Sequence, residues 1–221
     1  MTKALIFDSS AIITLALNDL LYILEPLKKK FKGEFYIAPS VKQEIIDKPI
    51  TEKRFMLEAL FIKKLLEKNI LTHYYNSEIA KEQEKILNMA NTTFQSDRGP
   101  IRILHGGEAS CLALFKEIEA DKKAVVVDER TTRMLCEAPW NLKRLLESKL
   151  HTKIDAKVDN YRFFQNFNLI RSSELGLMAF KLGIIDLPGK KEEILEALLY
   201  AAKFKGCAIS NKEIEEAKGL L

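Results

Sequence analysis

Apolar residues follow two alternating patterns along this chain. The first is short and unbroken: Ala4-Leu5-Ile6-Phe7, Phe35-Tyr36-Ile37 and Ala124-Val125-Val126-Val127. Such runs predict strands covered on both faces, since a half-exposed strand would alternate apolar with polar. The second has helical spacing. Ile12, Leu15, Ala16, Leu20, Ile23, Leu24 and Leu27 predict one helix over 11–30, with Ser9 or Ser10 as its cap. Pro39-Ser40 opens another, with Val41, Ile45 and Ile46 on one face and Pro49 at its end. In 51–71, Phe55, Leu57, Leu60, Phe61, Leu65 and Leu66 are interleaved with Lys63, Lys64 and Lys68, an amphipathic helix. Helices are also predicted over 77–91 and from Glu108 to Ile118. Thr, Asn, Asp, Gly and Pro in 92–102 read as an irregular connection.

A long basic stretch of helical character covers 131–166, and Leu169-Ile170 reads as a fourth strand. Helices follow over 173–183 and 190–204, and Ser210 to Glu213 carries a capping-box start for a last short one. Strands alternating with helices predict a three-layer α/β/α fold with a parallel central sheet of about four to five strands. The expected organisation is one domain over 1–221, with helical insertions at about 51–105 and 131–166. No internal repeat is present.

Composition narrows the class. With 221 residues the chain is long enough to bury a core without disulfides or structural zinc. Its three cysteines, Cys111, Cys136 and Cys207, are odd in number and lack zinc-site spacing, which points to free thiols in a reducing cytoplasm. No apolar run reaches the length of a membrane span, and no signal peptide is evident, because Asp8-Ser9-Ser10 interrupts the first apolar run. The net charge of +4 is mild. It gains meaning if several acids are gathered in one place, because the remaining surface is then more basic and suits a polyanion.

Four acids stand where such a gathering is expected. Asp8 follows the first apolar run, and Asp128 follows the run 124–127. Glu108 opens a helix after Gly106-Gly107, and Glu44 lies just past Pro39-Ser40-Val41. Ligands of open α/β sheets bind beyond the carboxyl ends of the strands. Each acid also has a plain structural role available: Asp8 and Asp128 as helix caps, Glu108 as a first-turn glutamate, Glu44 as solvated surface. Two carboxylates about 5 Å apart repel by roughly 3 kcal/mol at an effective dielectric near 20, so a cluster calls for a cation or a raised pKa. An all-oxygen donor set selects Mg²⁺ or Mn²⁺. Ser10 is placed to orient Asp8, and Glu129 is a further candidate ligand. Arg98, Arg102, Arg130 and Arg133 flank the acids and are candidates for holding a nucleic-acid backbone. Tyr161, Phe163, Phe164 and Phe167 offer rings for base stacking, with core packing as the competing role.

These stretches resemble the PIN domain family, in its prokaryotic VapC-like branch with a glutamate in the third motif. Leu5-Ile6-Phe7-Asp8-Ser9-Ser10-Ala11-Ile12-Ile13 is similar to the family's first motif, and Ile37-Ala38-Pro39-Ser40-Val41-Lys42-Gln43-Glu44-Ile45 to its second. Gly107-Glu108-Ala109-Ser110-Cys111-Leu112-Ala113-Leu114 and Val126-Val127-Asp128-Glu129-Arg130-Thr131-Thr132-Arg133 resemble the third and fourth. Residues 169–176 and 179–185 resemble the branch's closing strand and helix. The fourth motif departs from the family's frequent pair of aspartates by having Glu129 second.

The resemblance implies a divalent-metal-dependent endoribonuclease. Asp8, Glu44, Glu108 and Asp128, with Glu129 as an alternative outer ligand, would hold one or two Mg²⁺ or Mn²⁺. Ser10 would orient Asp8, and RNA would be the substrate. It further implies a toxin-type or RNA-processing role, an antitoxin protein as a partner in the toxin case, and a homodimer. A non-catalytic RNA- or partner-binding protein of the same fold is the alternative. Asp8-Ser9-Ser10 is also similar to the opening of haloacid-dehalogenase-type phosphatases, but Ser10 stands where they carry a second aspartate.

Overall fold

The computed structural model describes residues 1–219. In chain order the strands are β1 (Lys3–Phe7), β2 (Glu34–Ile37), β3 (Thr72–His73), β4 (Phe94–Ser96), β5 (Gly99–Pro100), β6 (Lys122–Val126), β7 (Asp155–Ala156) and β8 (Leu169–Ile170). The helices are α1 (Ser9–Leu17), α2 (Leu24–Phe31), α3 (Pro39–Lys42), α4 (Met56–Glu67), α5 (Ser77–Asn91) and α6 (Gly106–Glu117), then α7 (Arg130–Glu137), α8 (Pro139–Leu150), α9 (Asp159–Phe164), α10 (Ser172–Lys181), α11 (Lys191–Phe204) and α12 (Asn211–Lys218).

Five strands form a parallel sheet in the order β3-β2-β1-β6-β8, flanked by helices as a three-layer α/β/α fold. Strand β1 lies at its centre, with Leu5 beside Phe35 on one side and Ala124 on the other. Ala4, Leu5, Ile6 and Phe7 are all buried, which is why their run is unbroken by polar residues. Burying a side chain of the Leu, Ile or Phe class stabilises the fold by roughly 1.5–3 kcal/mol. From β1 the chain builds outward to β2 and β3, and later returns to the other side of β1 as β6 and β8. The order therefore reverses between β1 and β6, and in open α/β sheets ligands bind at the carboxyl ends of the strands beside such a reversal.

Helix α6 lies against β1 and β6 and packs on α5 and α3. Its residues Ala109 to Phe115 are all buried, and its small ones let it come close to the sheet. Helix α1 packs against α10 and α4.

The expected helix over 11–30 is two helices. Asn18 ends α1, Asp19 takes a left-handed φ of 56°, and the Leu20 N–H bonds back to the Leu15 carbonyl. Such a left-handed close satisfies the last carbonyls of a helix. Pro26 lacks an N–H and fits only the first turn of the next helix, so α2 starts anew at Leu24.

The stretch 92–102 is ordered as a hairpin. Strand β4 pairs antiparallel with β5 across Asp97-Arg98 and with β7 on its other side, making a second, three-stranded sheet. The two regions expected to be helical insertions thus share this sheet: 51–105 supplies β4 and β5, and 131–166 supplies β7. Tyr161, Phe164 and Phe167 are buried, and Phe163 stacks edge-on against Phe164 and Phe167, so these rings are core. A separate small apolar cluster, around Leu195, Leu199 and Ile214, joins α11 to α12. No single helix among the described residues is long and apolar enough to cross a membrane.

Candidate active site

Asp8 leaves the end of β1 and caps α1. Its backbone N–H donates to the Val126 carbonyl at 2.9 Å, which fixes it beside the end of β6. Its side chain is 2% exposed. Carboxylate Oδ2 accepts from the Ser10 N–H at 3.0 Å and from the Ser10 hydroxyl at 2.5 Å. That hydroxyl also accepts from the Asp128 N–H at 3.1 Å, so Ser10 links the ends of the two central strands. Oxygen Oδ1 accepts from the Cys111 thiol, 3.8 Å away. The two oxygens of Asp8 are thus unequally held, Oδ2 firmly and Oδ1 weakly.

Glu44 reaches the same place from a different layer. Helix α3 widens after Lys42 into a π-helical turn, Gln43–Asp47, closed by the Lys48 N–H on the Gln43 carbonyl at 3.0 Å. Single π turns often stand at functional sites. Glu44 is exposed on this turn, and the flanking Ile45 and Ile46 are buried.

Glu108 is the third residue of α6 and is half-buried. Its Oε2 accepts from the His105 N–H at 3.0 Å, satisfying a donor at the start of the helix. Gly107, just before it, carries no side chain where one would intrude. A Cβ there would stand 3.2 Å from Glu44 Oε2 and 3.7 Å from Asp8 Oδ1. Both carboxylates therefore border the space that Gly107 leaves.

The charges feel one another. Burial pushes the Asp8 carboxyl up from 3.8 to about 6, the Ser10 bonds oppose it, and the negative charges of Glu108 and Glu44 add to the rise. Burial, then the same three carboxylates, hold the Cys111 thiol well above its usual range. Such a thiol is inert as a nucleophile.

Asp128 lies at the end of β6 as expected, but its side chain turns elsewhere. It is fully buried, with Oδ1 accepting from the Ser172 N–H at 2.8 Å and Oδ2 from the Ser172 hydroxyl at 2.6 Å. It meets the other acids only through its own N–H on Ser10. Glu129 caps α7, accepting from the Thr132 N–H at 2.6 Å. The structure thus brings together Asp8, Glu44, Glu108 and Ser10, and leaves the carboxylates of Asp128 and Glu129 in other contacts.

The arginines separate likewise. Arg130 is exposed at the first residue of α7. Arg133 is committed inward, to the Ala208 carbonyl at 3.2 Å and to Glu137 at 2.8 Å. Arg98 is exposed on the β4–β5 turn, and Arg102 is exposed on the segment leading to α6.

The donor set is all hard oxygen, which fits Mg²⁺ or Mn²⁺. The buried Asp8 carboxyl, raised by the neighbouring charges of Glu108 and Glu44, would gain from a cation. Among the described residues no group of three His, Cys, Asp or Glu side chains is close enough to grip an ion.

Sequence reasoning missed Ser172 as the partner of Asp128. The run Ser172-Ser173-Glu174 is a legible helix start, but nothing local says whose carboxylate it receives. It also missed the π turn under Glu44. No family model matches this chain, and neither does any curated protein or solved structure.

Proposed function

We propose that the protein is a divalent-metal-dependent endoribonuclease, with Asp8, Glu44 and Glu108 as the residues that would hold Mg²⁺ or Mn²⁺. The observation that carries this reading is that Asp8 Oδ1 and Glu44 Oε2 both border the gap at Gly107, beside Glu108 and at the carboxyl end of the central strand. A bound ion would supply an activated water and stabilise charge building on the scissile phosphate. The chain's own residues do the rest. Ser10 keeps Asp8 Oδ2 engaged and so aims Oδ1 at the gap. Arg130, exposed just past the end of β6, is set to hold a backbone phosphate, with Arg98 and Arg102 as more distant contacts. The mild positive charge suits RNA, and three buried free cysteines suit a reducing cytoplasm. A toxin-type or RNA-processing role, an antitoxin partner and a homodimer belong to this reading as extensions.

The test is cleavage of a single-stranded RNA with Mn²⁺, with and without EDTA, by wild type and Asp8→Asn. Expected are cleavage by wild type, its loss in EDTA, and its loss in the variant. Equal cleavage by Asp8→Asn would assign the activity to a contaminant. RNA binding without cleavage, together with no Mn²⁺ binding by calorimetry, would favour the non-catalytic alternative.

A further inference from the structure

Asp128 is a fully buried carboxylate at the carboxyl end of the sheet, with a donor on each oxygen. Both of its oxygens accept from Ser172, the first residue of α10. Its N–H donates to Ser10, and its carbonyl accepts from the Ala208 N–H at 3.1 Å. A buried carboxylate without a basic partner is costly unless donors meet it. Here the donors are a backbone N–H and a hydroxyl at the start of a helix, where the dipole also favours negative charge. The Asp128 charge, after burial, helps to raise the Cys207 thiol on the segment after α11. That segment is tied in further by Arg133 and Arg171, which both donate to the Ala208 carbonyl at 3.2 Å.

We infer that Asp128 caps α10 from another strand and acts on the candidate site by positioning Ser10 and Asp8 rather than as a ligand of the proposed ion. The ion rests on the nuclease reading above; the cap does not. Asp128 is then a positioning residue. Pinned by Ser172, it holds its own N–H on Ser10, and Ser10 holds Asp8.

The experiment compares Asp128→Asn, Ser172→Ala and Glu44→Gln in the full chain, by thermal melting without metal and by Mn²⁺ titration. Asp128→Asn and Ser172→Ala should each lower Tm by about 5 °C, from weakened buried hydrogen bonds. Both should still bind Mn²⁺. Glu44→Gln removes a charge that disfavours ionised Asp8, so it should not lower Tm, and it should lower Mn²⁺ affinity by about tenfold or more. Unchanged Tm with lost Mn²⁺ binding in Asp128→Asn would overturn the proposal. If Asp128→Asn does not fold, Ser172→Ala tests the cap while sparing the carboxylate, and an unchanged Tm in that variant would overturn the proposal. A wild type that binds no Mn²⁺ defeats the nuclease reading, and the melting comparison then judges the cap alone.

Discussion

Asp8 carries opposing demands in one side chain. It caps α1, it is buried, and its carboxyl is pushed up to about 6. A folded-state pKa above the unfolded 3.8 means that the native protein holds this proton more tightly. The ionised group therefore costs stability above about pH 6, and the cost fades as pH falls towards 3.8. At 1.36 kcal/mol per unit the full cost is about 3 kcal/mol. Asp8→Asn should accordingly be more stable than wild type at pH 7 without metal and lose that advantage by about pH 4. Urea unfolding across this range measures it, and an advantage that grows on acidification would refute the buried-charge account. Gly107 separates folding from function still more cleanly. Alanine suits a helix better by roughly 0.5–1 kcal/mol, yet its Cβ would crowd Glu44 Oε2 at 3.2 Å. Gly107→Ala should thus melt no lower than wild type while binding Mn²⁺ more weakly. Equal Mn²⁺ affinity would show that the gap is not the site. The positions of Asp8 at a strand end and of Glu108 at a helix start were legible in the sequence, because those points mark where a backbone emerges, whereas Glu44 stands out only in company with the other acids. The direction of the Asp128 side chain was not, since Ser172 decides it from another part of the chain.

Among the elements, the caps explain why structural and chemical readings of the acids were hard to separate. Asp8 caps α1, Glu108 serves α6, Glu129 caps α7 and Asp128 serves α10, so each does work in the fold whether or not it meets a metal. The same logic holds far from the site. Burial alone would push the Glu213 carboxyl up, but bonds from the Ser210 N–H and hydroxyl and from Arg171 hold it at about 2. A folded pKa below the ordinary 4.5 adds stability that is present above 4.5 and is lost as pH falls towards 2. Glu213 fastens the start of α12 to Arg171, so α12 should loosen first on acidification. Hydrogen exchange should show early loss of protection in α12 as pH falls, and Glu213→Gln should show the same loss at neutral pH. Uniform protection in both cases would mean that the apolar contacts of Ile214 hold the helix alone. The capping box of α12 was visible in the sequence. The π turn was not, because it needs no special residue, and the break between α1 and α2 was hidden beneath an unbroken apolar pattern.

At the scale of the molecule, the parallel sheet was the most legible feature, since strands covered on both faces cannot disguise their composition. The small antiparallel sheet was the least legible: β5 and β7 are two residues each, too short for any period. Its pairing joins two regions that look like separate helical stretches when read along the chain. Strand β1 is made first but completed late. Its partner β6 arrives more than a hundred residues afterwards, and the bond from Asp128 to Ser10 forms only then. The cap on Asp128 waits longer still, for α10. The two ends of the chain's order are thus tied at one point: Asp8 is synthesised before the residues that anchor it, and its final setting depends on segments that follow it by more than a hundred positions.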